Sequence, residues 1–118
     1  MYYVSKRMEI AGCHHLNLPY ESKCSNLHGH NWIVTVYCKS DKLTNYGMTV
    51  DFAKIKSSIH GYLDHGNLNN LLPTINPTAE NIAKWICDKV TDLCEVGECY
   101  KVTVQESEGN VATYERDE

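Results

Sequence analysis

The sequence predicts an α+β fold: four strands in an antiparallel sheet, with two helices on one of its faces. Three observations carry the prediction. Residues 3–10 and 31–38 have strand composition, the apolar period changes to steps of three and four after Asp51, and strict alternation returns from Tyr100. The resulting order is β-β-α-α-β-β.

The first strand places Tyr3, Val4, Met8 and Ile10 among polar neighbours. The second, Asn31-Trp32-Ile33-Val34-Thr35-Val36-Tyr37-Cys38, is rich in β-branched and aromatic residues, with Trp32, Val34, Val36 and Cys38 on one face. The connection between them, residues 17–27, is long for a hairpin, which marks it as a candidate functional segment. Phe52, Ile55, Ile59 and Leu63 make the stripe of an amphipathic helix. A second helix follows Asn76-Pro77-Thr78, with Ile82, Trp85, Ile86, Val90 and Leu93 inward. Its start has two readings, Pro77 in the first turn or Thr78 as N-cap. Tyr100, Val102 and Val104 begin a third strand. The Glu108-Gly109-Asn110 turn then leads into Val111–Tyr114, a closing hairpin.

At 118 residues one domain, 1–118, is expected, and no repeat or linker divides it. Apolar residues at 42% against 22% charged give a globular balance, not a disordered one. The thin core of so short a chain favours subunit association. With 11 Lys+Arg against 15 Asp+Glu, the net charge of −4 leaves no basic surplus for nucleic acid or an anionic membrane. No apolar run approaches the roughly 20 residues of a membrane span, and the N-terminus lacks a signal-peptide core, so a cytoplasmic protein is expected. Six cysteines without a secretory signal read as core or surface thiols rather than a disulfide framework.

His28-Gly29-His30 enters the second strand. Side chains two apart on a strand point the same way, so both imidazoles can converge on one metal ion. The plainer reading is two half-exposed strand histidines. A third imidazole is at hand in Cys13-His14-His15-Leu16: if the first two strands pair, His14 or His15 comes alongside. Three histidines with an open fourth position are the catalytic zinc pattern. Cys24 precedes His28 by four residues, and a thiol beside a metal and histidines serves as thiolate base or nucleophile. As a further ligand it would close the site. Asp64-His65 ends the first helix and suits proton transfer, although a helix C-terminus also favours histidine for its dipole. Glu106 ends the third strand, where Glu108 and Glu115 make a solvated edge the plain reading. His60 has no partner in sequence and reads as surface. Cys87, Cys94 and Cys99 are irregularly spaced and lack a fourth ligand. There is no glycine-rich phosphate loop and no Gly-x-Ser-x-Gly elbow.

The run Cys24-Ser25-Asn26-Leu27-His28-Gly29-His30 resembles the Cys-x-x-x-His-Gly-His signature of the bacterial, 6-carboxytetrahydropterin-forming branch of the 6-pyruvoyltetrahydropterin synthase family. Leu63-Asp64-His65-Gly66-Asn67-Leu68-Asn69, Val50-Asp51-Phe52, Asn76-Pro77-Thr78-Ala79-Glu80 and Val104-Gln105-Glu106 are similar to further family segments, so the resemblance runs over nearly the whole chain. It implies a T-fold whose trimers form a barrel and whose barrels stack into a homohexamer (a dimer of trimers), with active sites between subunits. It implies one Zn²⁺ per subunit on three histidines. His28 and His30 carry over directly, and setting Leu16 on the family's leucine puts His14 on the third ligand and His15 on a usual arginine. Cys24 is implied as the base, Asp64 and His65 as the second proton-transfer pair, and Glu106 as the pterin-binding carboxylate. The implied reaction converts 7,8-dihydroneopterin triphosphate to 6-carboxy-5,6,7,8-tetrahydropterin, releasing acetaldehyde and triphosphate, on the route to queuosine. Alternatives are triphosphate elimination to 6-pyruvoyltetrahydropterin, the aldolase branch, which carries Glu where Cys24 stands, and a catalytically silent metal-binding hexamer. The three-residue gap between Cys24 and His28 favours the carboxy product.

Overall fold

A computed structural model describes residues 1–117. Strands β1 (Tyr2–His14) and β2 (His28–Ser40) are thirteen residues each and pair antiparallel along their whole length, from Tyr2 opposite Ser40 to His14 opposite His28. Both outrun the predicted strands, because cross-strand pairing carries the ladder past the apolar residues into a polar end with little strand signal of its own.

The first helix, α1, covers residues 52–63 and opens on Asp51, whose side chain accepts the Ala53 N–H at 2.8 Å. It is α-helical at Phe52–Ile55 and Gly61–Leu63, with a π turn over Lys56–His60 between them. The sequence explains the irregularity. Ile55, Ile59 and Leu63 are four apart, and each four-residue step overshoots an α-helical turn by about 40°. The wider turn takes up that drift, and all three are buried. Phe52 does not join them: it is exposed in the first turn, with the Lys6 ammonium 6.0 Å above its ring.

Strand β3 is a two-residue piece, Gly66–Asn67, running parallel to the end of β1, and a short helix α2 (Leu68–Leu71) follows it. Neither is long enough to show a period in sequence. The long helix α3 (Ala79–Leu93) starts at Thr78, whose hydroxyl accepts the Asn81 N–H, so Pro77 lies before the cap rather than in the first turn. Ile82, Ile86, Cys87 and Val90 are buried along its inner face, while Trp85 and Leu93 are half-buried. Strands β4 (Glu98–Ser107) and β5 (Asn110–Glu115) close the chain as a hairpin turning at Gly109, whose φ of 86° suits glycine.

The sheet order is β3-β1-β2-β4-β5, so the four expected antiparallel strands gain a fifth, parallel fragment at one edge. Met8, Ile10, Trp32, Val34, Val36, Val102 and Val104 face the buried stripes of α1 and α3 across one core. Burying each such side chain contributes roughly 1.5–3 kcal/mol. All six cysteines are free thiols, with Cys38, Cys87 and Cys99 in the core. Among the described residues no helix is long and apolar enough to cross a membrane.

Candidate active site

The core-facing rows of three strands turn from apolar to titratable at the same end of the sheet. On β2 the row Val36, Val34, Trp32 continues as His30 and His28; on β1 it runs Met8, Ile10 to His14; on β4 Val102 and Val104 lead to Glu106. Because His14 pairs with His28 on the last rung, three imidazoles meet. Ring centroids are 4.6 Å apart for His14 and His28, 4.9 Å for His28 and His30, and 5.2 Å for His14 and His30. One nitrogen of each lies within 4.8 Å of the others. His15 is not among them. Its backbone is clamped by Asn69, which accepts the His15 N–H at 2.8 Å and donates to its carbonyl at 2.9 Å.

Two of the three rings are oriented by carbonyl oxygens. His14 Nδ1 is 2.8 Å from the Pro77 carbonyl and His28 Nδ1 is 2.7 Å from that of Asn26. A ring that donates from Nδ1 turns a lone pair on Nε2 toward the cluster, the arrangement by which outer partners orient histidine ligands. His14 is fully buried, and its Nε2, like that of His30, is buried with no hydrogen-bond partner. Burial holds the His14 imidazole below its usual range, against the opposing pull of the Pro77 carbonyl; burial does the same to His30, opposed by Glu106. The orphaned nitrogens of His14 and His30, converging with one nitrogen of His28, fit a divalent transition-metal ion, for which imidazole is a good ligand. Glu106 Oε1 stands 3.3 Å from His30 Nε2, close enough for a charge contact but off hydrogen-bond geometry.

His65, next to Asp64, shares a pocket with His30. Residues Ala11, Gly12, Cys13, Gly29, His30, Asn31, His65 and Gly66 line one open pocket of about 440 Å³. Ala11 of β1 grips the dipeptide from both sides: its N–H donates to Asp64 Oδ1 at 2.9 Å, and its carbonyl accepts the His65 N–H at 2.6 Å. His65 is thereby held at φ 61°, a conformation uncommon for a residue with a Cβ. Its Nδ1 donates to Asp64 Oδ2 at 2.8 Å, leaving the ring 84% exposed over the pocket. The Ala11 N–H, then the His65 imidazole, hold the Asp64 carboxyl below its usual range. His60, expected to lie on the surface without a partner, is instead half-buried with Nε2 3.6 Å from Asp64 Oδ2.

Cys24 sits in a short 3₁₀ turn, Lys23–Ser25, capped by Ser22, and is half-buried. The Leu16 N–H donates to the Cys24 carbonyl at 2.8 Å, so this loop is tied to the chain two residues beyond His14. Its thiol makes no hydrogen bond to the histidine cluster among the described residues. Sequence reasoning did not single out Ala11 or Pro77, which act through backbone atoms and so leave no side-chain signal.

On a sheet-and-helix frame of this order, three open imidazoles beside an Asp–His pair define a T-fold enzyme. A family model described as 6-pyruvoyl tetrahydropterin synthase matches residues 3–117. The chain is 34% identical over 131 residues to human 6-pyruvoyl tetrahydrobiopterin synthase, an alignment covering 94% of this chain and 89% of the human one. It is 34% identical over 122 residues to the 6-carboxy-5,6,7,8-tetrahydropterin synthase of Synechocystis sp., covering 97% and 93%. A solved structure of Caenorhabditis elegans 6-pyruvoyl tetrahydropterin synthase superposes with a TM-score of 0.76 at 27% identity, over 98% of this chain and 96% of that one. The chain belongs to the 6-pyruvoyl tetrahydropterin synthase family.

Proposed function

We propose that this protein converts 7,8-dihydroneopterin triphosphate to 6-carboxy-5,6,7,8-tetrahydropterin, with release of acetaldehyde and triphosphate, as a cytoplasmic step toward queuosine. The observation that carries the reading is the cluster of three imidazoles, one of which, His30, lines the same pocket as His65 of the Asp64–His65 pair. The two named relatives, one of each product type, support a pterin substrate equally. The three-residue gap between Cys24 and His28 favours the carboxy product.

In this reading His14, His28 and His30 hold one Zn²⁺ per subunit, and the protein works as a homohexamer with sites between subunits. Bound there, the ion supplies Lewis acidity to the hydroxyls of the substrate side chain. Cys24, as thiolate, removes a proton from the carbon framework. His65 moves a proton on the opposite side, while Asp64 stabilises the imidazolium that forms and holds the ring with Nδ1 inward. Glu106 accepts paired hydrogen bonds from the pterin amino group and ring N–H. Two separate proton-transfer groups suit a rearrangement that both oxidises and reduces carbons of one side chain.

The test is product analysis with zinc-loaded protein and 7,8-dihydroneopterin triphosphate, assaying acetaldehyde and triphosphate separately. Both products support the proposal. Triphosphate without acetaldehyde moves the protein to the pyruvoyl branch, and neither product, with one zinc per chain, leaves a silent metal-binding protein.

A further inference from the structure

We propose that His60 is a positioning residue for the Asp64–His65 pair, holding the Asp64 carboxylate from the side opposite Ala11. The inference builds on the proposed role of that pair in proton transfer. Two imidazoles flank Asp64, one on each side in sequence, at the same oxygen. Downstream, the positive φ of His65 brings its Nδ1 to 2.8 Å from Asp64 Oδ2. Upstream, the π turn ends on His60, whose Nε2 is 3.6 Å from that atom.

The Asp64 N–H bonds to the His60 carbonyl at 2.9 Å, four residues back, so the two residues lie one α-helical turn apart, the spacing at which side chains are neighbours on a helix. The π turn ends just before this step, with the Gly61 N–H bonded to the carbonyl of Lys56. His60 is half-buried, so its ring is confined near the carboxylate rather than free in solvent.

The chemistry follows from the number of donors. Asp64 Oδ1 is occupied by the Ala11 N–H, which fixes one end of the carboxylate. Oδ2 carries the bond to His65, and the His60 imidazole 3.6 Å from it, beyond hydrogen-bond length, is a polar neighbour that resists rotation of the carboxylate away from the ring. Two hydrogen bonds and this polar contact determine the plane of the carboxylate, and with it the direction in which the exposed face of His65 looks into the pocket.

The experiment compares wild-type protein with His60→Gln, His60→Leu and a His65→Ala assignment control. The first reading is the downfield Nδ1–H proton resonance of His65, identified by its absence in the control. Gln at this spacing can still donate to an Asp one turn on, whereas Leu cannot. In His60→Leu the resonance is expected to broaden or vanish through faster exchange. Turnover of the pterin triphosphate should fall about 5- to 30-fold in kcat with KM within twofold, and His60→Gln should restore both readings to within about threefold. An unchanged resonance in His60→Leu overturns the proposal, whatever happens to kcat, and so does equal loss in the Gln and Leu variants. If wild-type protein turns over no pterin triphosphate, the functional reading fails separately, and the resonance still decides the role of His60.

Discussion

Gly66 touches both the core and the site, and replacing it with alanine loads them together. A Cβ there would meet Leu71 Cδ1 and stand 3.0 Å from the Leu63 carbonyl oxygen and 3.5 Å from Leu71 Cγ. The leucine can rotate away, but the carbonyl belongs to the end of α1 and must move with its backbone. Overpacking of this kind costs about 1–3 kcal/mol, which for a chain of this size lowers Tm by about 4–12 °C. The backbone that must yield carries His65 and pairs with Gly12 on β1. A displacement approaching 1 Å at a catalytic group costs up to about 10²-fold in rate. Gly66→Ala is therefore expected to lower both Tm and kcat while the histidine cluster on β1 and β2 keeps its metal. Gly29→Ala is the control: it lies between two of the clustered histidines, yet its Cβ would meet only the Gly12 carbonyl at 3.8 Å, an ordinary contact. Calorimetry, metal content and steady-state kinetics on both variants check the reasoning. A Gly66→Ala protein with Tm within 1 °C and kcat within about twofold of wild type, the smallest effects these assays resolve against the predicted ranges, refutes it.

Three further outcomes are expected. Asp64→Asn keeps an acceptor for the Ala11 N–H only by turning its amide N–H₂ toward His65 Nδ1, which displaces the Nδ1 proton; kcat should fall by about 10²–10⁴-fold, the range of general acid–base catalysis, with metal content unchanged. Cys24→Ala should abolish turnover and leave the metal bound, and persisting turnover would remove Cys24 from the role of base. Metal-free protein should lose stability as pH falls. His14 and His30 are held below the ordinary value of 6.5 by burial, so the unfolded chain binds protons that the native chain refuses. Stability is then complete above about pH 6.5 and declines below it. Thermal melts from about pH 7.5 to about pH 5, a window spanning the unperturbed histidine value, should show the decline, and His14→Gln should flatten it.

Much of the frame was legible because its elements obey simple periods. Alternation in β2 and β4 and the leucine–isoleucine stripe of α1 each name the inward residues correctly. Phe52 departs from the stripe because it is the first residue of the helix, in the open first turn. Spacing puts His28 and His30 on one face of their strand but does not by itself distinguish a metal cluster from two strand histidines. The choice between His14 and His15 was not legible, since it depends on strand register, which only the pairing of His14 with His28 expresses. His60 has a partner after all, Asp64 one helical turn on, a spacing of four that is visible in sequence once the helix is carried as far as Asp64. Ala11 and Pro77 act through main-chain atoms, and composition is blind to those.

The histidines occupy the last rungs of the longest ladder among the described residues. Any opening of His14 from His28 would pull the donor set apart, and closure would rebuild it. A cation held there would act as a clasp on a zipper. Amide protons of residues 10–14 and 28–32 would exchange more slowly once it is bound, and by the reciprocity of linkage any change that loosens those rungs would weaken its grip. With the strands paired, one of the three rings is wholly shielded from water, so the donor set exists only as a product of the pairing.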